Sequence, residues 1–153
     1  MKLYHIGAIY SIINFMNECV FCKIAQGEIP AGADKIYEDE NFIAFLDIKP
    51  NNPGHTLIIP KTHYKNLYEL PDEVLSEMAP LIKKLANAVK KGINADGINI
   101  IMNNDSAAGQ IVPHAHLHII PRFANDGLRH WPGKPYANKE EPSEIVEKIR
   151  SSF

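Results

Sequence analysis

Two groups of side chains in this 153-residue chain have types and spacing that can do chemistry. The first is Pro113-His114-Ala115-His116-Leu117-His118-Ile119-Ile120-Pro121. On a strand alternate side chains share a face, so a strand over Pro113 to Ile120 points His114, His116 and His118 one way. Ala115, Leu117 and Ile119 then point the other way, into a core. Three imidazoles roughly 7 Å from one Cα to the next suit two tasks. They can ligate a metal, or they can handle phosphate with one ring as nucleophile and its neighbours as donors. A surface strand that happens to carry histidine is a poor rival, because three histidines in alternation do nothing useful for packing. The preceding loop, Asn103-Asn104-Asp105-Ser106-Ala107-Ala108-Gly109-Gln110, supplies amides and a glycine where backbone can approach an anionic ligand.

The second group is Cys19-Val20-Phe21-Cys22. A Cys-x-x-Cys is a redox pair, half of a zinc site, or two buried reduced thiols. A redox pair of the thioredoxin kind follows a strand and opens a long helix. No strand pattern precedes Cys19, which discounts that use. A tetrahedral Cys₂His₂ site needs two more ligands. His63, just past a strand end, and His114, at the start of the triad strand, are both candidates. The spacing is not that of a zinc finger, so the fold would have to assemble the site.

Composition narrows the partners. Sixteen Lys and Arg against eighteen Asp and Glu leave a net charge of −2, so no strong field points to nucleic acid or an anionic membrane. Two cysteines exclude a disulfide-dense scaffold, and seven histidines are the unusual count. No run approaches the roughly 18 apolar residues of a membrane span. Residues 1–15 are apolar, but the basic start is thin, with Lys2 alone, and no Ala-x-Ala cleavage site precedes Cys19, as a signal peptide would need. They read as a poorly ordered extension, an added strand or a mis-set start before Met16, followed by one domain over 16–153, and the expected location is cytoplasmic.

The elements that must position these residues follow from pattern. A short helix fits Cys19 to Gln26. Lys35 to Glu38 and Phe42 to Asp47 read as strands around a turn, and Thr56 to Ile59 as a strand stopped by Pro60. Asn51-Asn52-Pro53-Gly54 is a loop by composition. Val74, Leu75, Met78, Leu81, Ile82, Leu85 and Val89 form one apolar stripe, predicting a helix over Pro71 to Lys91 that Pro80 should kink or split. Gly97 to Asn103 and Pro113 to Ile120 are further strands, and Pro142 to Ser151 a terminal helix. Without regular βαβ alternation, the class is α+β with a mostly antiparallel sheet.

His114-Ala115-His116-Leu117-His118-Ile119-Ile120 resembles the signature of the histidine-triad (HIT) family of nucleotide hydrolases and transferases. Phe21-Cys22-Lys23-Ile24, Glu28-Ile29-Pro30, Phe45-Leu46-Asp47-Ile48, Gly54-His55-Thr56-Leu57, Ile59-Pro60-Lys61 and Gly109-Gln110 stand in family order and spacing. The resemblance runs from about Cys19 to Trp131. His130-Trp131-Pro132-Gly133 is similar to the end of the Hint branch, and the Cys-x-x-Cys and Pro121-Arg122 are similar to zinc-containing bacterial and archaeal members.

The resemblance implies a five-stranded antiparallel sheet with one long and one or two short helices, dimerising into a ten-stranded sheet. It implies hydrolysis of purine nucleoside 5′-phosphoramidates or related AMP or GMP conjugates through a covalent nucleotidyl-histidine, releasing a nucleoside monophosphate. His116 matches the nucleophile, His118 and His55 the histidines that contact phosphate and support the site, and His114 completes the catalytic set. Cys19, Cys22, His63 and His114 match the ligands of a structural zinc. Asp47 matches the ribose-binding carboxylate. Val20, Phe21, Ile24 and Phe45 match the base pocket, and Asn103, Gly109 and Gln110 the phosphate-side contacts.

Three features depart from that pattern. Ile111 stands where many Hint-type proteins carry Ser or Thr beside the scissile bond. The chain continues for twenty residues past Gly133, and Pro80 interrupts the main helix. The rival functions are a dinucleoside-polyphosphate hydrolase, a zinc-stabilised nucleotide-binding protein with incidental turnover, and a metallohydrolase that uses the triad as its metal site. Arg122 reads as a solvated arginine, with a phosphate contact as the alternative, and His130 with Trp131 as a stacking, dimer-contact or packed pair.

Overall fold

The structure, a computed structural model, describes residues 19–29, 35–129 and 131–153. The expectations for the 1–15 extension, for His5 and for His130 lie outside them.

Five strands form one antiparallel sheet: β1 (Lys35–Glu38), β2 (Phe42–Leu46), β3 (Thr56–Pro60), β4 (Gly97–Ile101) and β5 (Leu117–Arg122). Their order across the sheet is β1-β2-β3-β5-β4. Helices α1 (Val20–Ala25), α2 (Asp72–Gly92) and α3 (Glu141–Arg150) complete the described elements. The expected α+β class, the antiparallel five-stranded sheet and the one long and two short helices are all present.

Strand alternation divides the core in two. Phe42, Ala44, Ile58, Leu117 and Ile119 face one side, where Met78, Leu81 and Leu85 of α2 cover them. Ile43, Phe45, Leu57 and Ile59 face the other, under Cys19, Phe21, Cys22 and Ile24 of the α1 segment. Period-2 strands with both faces buried read as continuous apolar runs, which is what Phe42–Leu46 and Thr56–Pro60 contain.

The largest boundary difference from the sequence reading is at the triad strand. The triad strand begins at Leu117, not Pro113. Residues 113–116 run up to it outside the ladder, and the Ala115 N–H donates to the Tyr64 carbonyl in the loop after β3 (2.6 Å). The strand then passes through Pro121 to Arg122. Pairing with β3 ends at Ile119, so Pro121 has only β4 as a ladder neighbour, a place where proline is tolerated.

Helix α2 is not split at Pro80. The proline sits on the exposed face. The hydrogen bond it forgoes is on the solvent side, where the orphaned carbonyl is open to water. Pro71 is the N-cap, in extended geometry, so the helix starts at Asp72, one residue after the expected start.

Candidate functional site

The four residues Cys19, Cys22, His63 and His114 come together across 95 residues of sequence. Their donor atoms all lie within 4.8 Å of one another. Sγ of Cys19 is 3.5 Å from Nδ1 of His114, and Sγ of Cys22 is 3.5 Å from that atom and 3.2 Å from Nδ1 of His63. The two Nδ1 atoms are 3.2 Å apart. Zinc–nitrogen bonds of about 2.0–2.1 Å and zinc–sulfur bonds of about 2.3 Å span a tetrahedron with edges of about 3.3–3.8 Å, so the donor set fits that ion.

The tautomer of His114 fits as well. Its Nε2–H donates to the Pro60 carbonyl at 2.9 Å, which leaves the Nδ1 lone pair facing the sulfurs. The ring is fully buried, and burial pushes its pKa down to about 4, keeping it neutral. Burial, with Cys19 adjacent, pushes the Cys22 thiol up to about 12. Both cysteines are free thiols.

The same carbonyl logic orients His116. Its Nδ1–H donates to the backbone carbonyl of His114 at 2.6 Å. A carbonyl only accepts, so in the neutral ring Nε2 carries the lone pair. Burial holds the His116 pKa below the usual histidine value. The ring of Phe21 packs edge-on to it, with centroids 5.1 Å apart.

His55 and His118 form a second pair, Nε2 to Nδ1 at 2.9 Å. The backbone N–H of Asn51 donates to Nδ1 of His55 at 3.2 Å. His55 therefore carries its proton on Nε2 and donates to His118 Nδ1, leaving His118 with Nε2–H. Burial lowers the pKa of His55, against the opposing pull of Asp47, and pushes His118 down to about 4.

One cavity of about 440 Å³ joins His116 to the His55–His118 pair. Val20, Phe21, Ile24, Phe45 and Leu57 line its apolar part. Asp47, His55, His116, His118, Asn103 and Gly109 line its polar part, and Ile111, 92% exposed, stands at the mouth. Of the residues assigned to nucleotide binding, the structure brings all but one to this cavity. Gln110 is the exception. Its amide donates to the carbonyls of Lys65 and Val112 and accepts from the N–H of Asp105, so it braces the loop instead of facing a ligand. The ring of His114 also turns away from the cavity, toward the cysteines. Among the described residues no donor cluster unites His114, His116 and His118, which removes the reading of the triad as a single metal site.

Comparison with known proteins identifies the family. The family model described as HIT domain matches residues 26–125. This chain belongs to the HIT family. The adenosine 5′-monophosphoramidase hnt1 of Schizosaccharomyces pombe is 42% identical over 137 residues, 88% of this chain and 98% of that protein. The adenylylsulfatase HINT3 of Arabidopsis thaliana is 46% identical over 112 residues, 73% of this chain and 56% of that protein. A zinc-bound histidine triad family protein from Mycobacterium smegmatis superposes with a TM-score of 0.69 at 40% identity, covering 90% of this chain and 99% of that one.

In this HIT protein several site residues escaped the sequence reading. Ile48, Lys49 and Asn51 also border the cavity. Arg122 is not a solvated arginine: it grips the Asp126 carboxylate through Nε at 2.7 Å and Nη2 at 3.0 Å. Trp131 is 75% exposed, so it is not a packed aromatic. The Asn51-Asn52-Pro53-Gly54 composition was the one available signal for the loop that reaches His55.

Proposed function

We propose that this HIT protein hydrolyses purine nucleoside 5′-phosphoramidates or related nucleotide conjugates, releasing AMP or GMP through a nucleotidyl-histidine on His116. The observation that carries the reading is the His116–His114 carbonyl bond, which aims an unprotonated Nε2 at the cavity. The base lies against Val20, Phe21, Ile24 and Phe45, and Asp47 accepts from the ribose hydroxyls.

Nε2 of His116 attacks the α-phosphorus and the bond to the leaving group breaks. The leaving group takes a proton at the open mouth of the cavity. Water then displaces His116, and the nucleoside monophosphate departs with the imidazole restored. One hard displacement becomes two easier ones. Nε2–H of His118 donates to the phosphoryl oxygens, offsetting charge that grows in the transition state. Asn103 and the backbone at Gly109 border the same region.

Cys19, Cys22, His63 and His114 would hold zinc as a closed four-ligand site, which supplies rigidity and no open position for an activated water. The buried free thiols suit a reducing, cytoplasmic setting. No helix among the described residues is long and apolar enough to cross a membrane.

A homodimer with a ten-stranded sheet pairs edge strands. β1 carries Lys35, Glu38 and a register irregularity, features that blunt an edge, whereas β4 (Gly97–Ile101) carries no charge. We therefore assign the pairing to β4.

The test is turnover of adenosine 5′-phosphoramidate against diadenosine polyphosphates, followed by nucleotide release. Preference for the phosphoramidate supports the reading; preference for the dinucleotide moves the function to that rival. AMP binding with no turnover of either makes the protein a binding module.

A further inference from the structure

The loop of residues 51–55 is held from a distance. The Asn52 amide donates to the Pro121 carbonyl at 2.8 Å and to Oδ2 of Asp126 at 3.0 Å. Asp126 is itself immobilised. It takes the Arg122 guanidinium on both oxygens and accepts from the backbone N–H groups of Phe123 and Leu128 at 3.1 and 2.9 Å. Arg122 donates in addition to Asn99 and to the Leu128 carbonyl. The Asp126 side chain is 5% exposed. Gly54, at φ +89°, lets the loop pass close over Ile93 and Pro121: a Cβ there would meet Ile93 Cδ1 at 2.6 Å and Pro121 Cγ at 3.4 Å.

What this anchor delivers is one backbone N–H, that of Asn51, to Nδ1 of His55. A second group competes for the same nitrogen. Oδ2 of Asp47 lies 3.7 Å from it and favours a proton there. With the Asn51 N–H in place, Nδ1 must accept, so the proton sits on Nε2 of His55 and His118 keeps Nε2–H. Without it, the carboxylate draws the proton to Nδ1 of His55. Nε2 of His55 then accepts from Nδ1–H of His118, and Nε2 of His118 turns a lone pair on the cavity. A donor to phosphoryl oxygen becomes a repulsive acceptor.

We infer that Asn52 and Asp126 are positioning residues that select the tautomer of the His55–His118 pair, and with it the donor that His118 offers. The inference rests on the reading that His118 faces a phosphoryl group, but the tautomer itself can be read without substrate.

The experiment uses full-length protein with ¹⁵N-labelled histidine and two-bond ¹H–¹⁵N correlation spectra, beside kcat and KM for adenosine 5′-phosphoramidate. Wild type is expected to show His55 and His118 both as Nε2–H. Asn52→Ala is expected to move His55 toward Nδ1–H, and to lower kcat by about 10- to 100-fold with KM within about threefold. Asp126→Asn, which preserves volume, shifts both readouts the same way to a smaller degree and serves if Asn52→Ala does not fold. A different tautomer in wild type overturns the inference. So does a folded variant with lowered thermal stability but unchanged tautomers and kcat, since that is a plain loop brace. A wild type that lacks turnover but shows these tautomers, shifted by Asn52→Ala, retires the proposed function and leaves the tautomer device standing.

Discussion

Nδ1 of His116 donates to the backbone carbonyl oxygen of His114 at 2.6 Å, while the ring of that same His114 points its Nδ1 at Cys19 and Cys22. One residue thus serves two sites, its side chain the cysteine cluster and its carbonyl the nucleophile. Whatever fixes the His114 ring also fixes the carbonyl that orients His116.

Metal content is the first consequence. Purified protein is expected to carry about one zinc per chain. Cys19→Ser is expected to lose it, to lower Tm by about 5–10 °C, or about 2–3 kcal/mol for a chain of this size, and to lower kcat. Elemental analysis with thermal unfolding checks this. A metal-free, equally stable wild type contradicts it.

Acid sensitivity follows from the buried rings. Burial lowers the pKa of His55, and takes that of His118 to about 4, against about 6.5 in the unfolded chain. Between those values the unfolded state binds more protons. Their contribution to stability is therefore complete above about pH 6.5 and is lost as pH falls toward 4. Denaturant unfolding at pH 7.5 and pH 5 should show the lower stability at pH 5. The acid limb of kcat/KM should lie below 6.5. Stability that rises on acidification, or an acid limb above 6.5, refutes this.

Asp47 gives a test of nucleoside recognition. Its carboxylate borders the cavity while Oδ1 also accepts from the Lys49 N–H at 2.8 Å. Asp47→Ala is expected to raise KM for the ribonucleotide substrate about 10- to 100-fold, the cost of one charged hydrogen bond or two. The 2′-deoxy substrate should be affected far less. Equal losses for both sugars would place the ribose elsewhere.

Much of this arrangement was legible in local pattern. The apolar runs of β2 and β3, the α2 stripe and the side assignment of Leu117 and Ile119 all follow from period and burial. The cysteine cluster was half legible. Cys19 and Cys22 announce themselves, but only the fold brings His63 and His114 to them, and spacing had left both as alternatives. What escaped depends on tertiary partners. Arg122 looked solvated because Asp126 lies in a loop four residues on, not on a shared helix face. Gln110 looked like a ligand contact because nothing local reveals that its amide is consumed by Lys65, Val112 and Asp105. Pro80 looked like a break because its solvent-side position depends on where α2 lies on the sheet.

Ile111 offers a gain-of-function test. It is exposed at the cavity mouth and provides no hydroxyl to a departing group. Ile111→Ser should leave stability within about 0.5 kcal/mol, as for other surface changes. It should raise turnover of substrates with basic amine leaving groups by about 10-fold or more, and of good leaving groups much less. Equal changes across a leaving-group series would remove Ser or Thr at this position from the chemistry.

The central claim is a covalent nucleotide on Nε2 of His116. It is tested by mixing the protein with a substrate labelled at the α-phosphorus and quenching rapidly in alkaline denaturant, where a phosphorus–imidazole bond survives. Peptide mass spectrometry then locates the label. The account predicts one nucleotidyl group on His116, absent from His116→Ala, whose turnover falls by about 10⁴-fold or more while AMP binding and zinc remain. Label on another residue, or rapid turnover by His116→Ala, would contradict it.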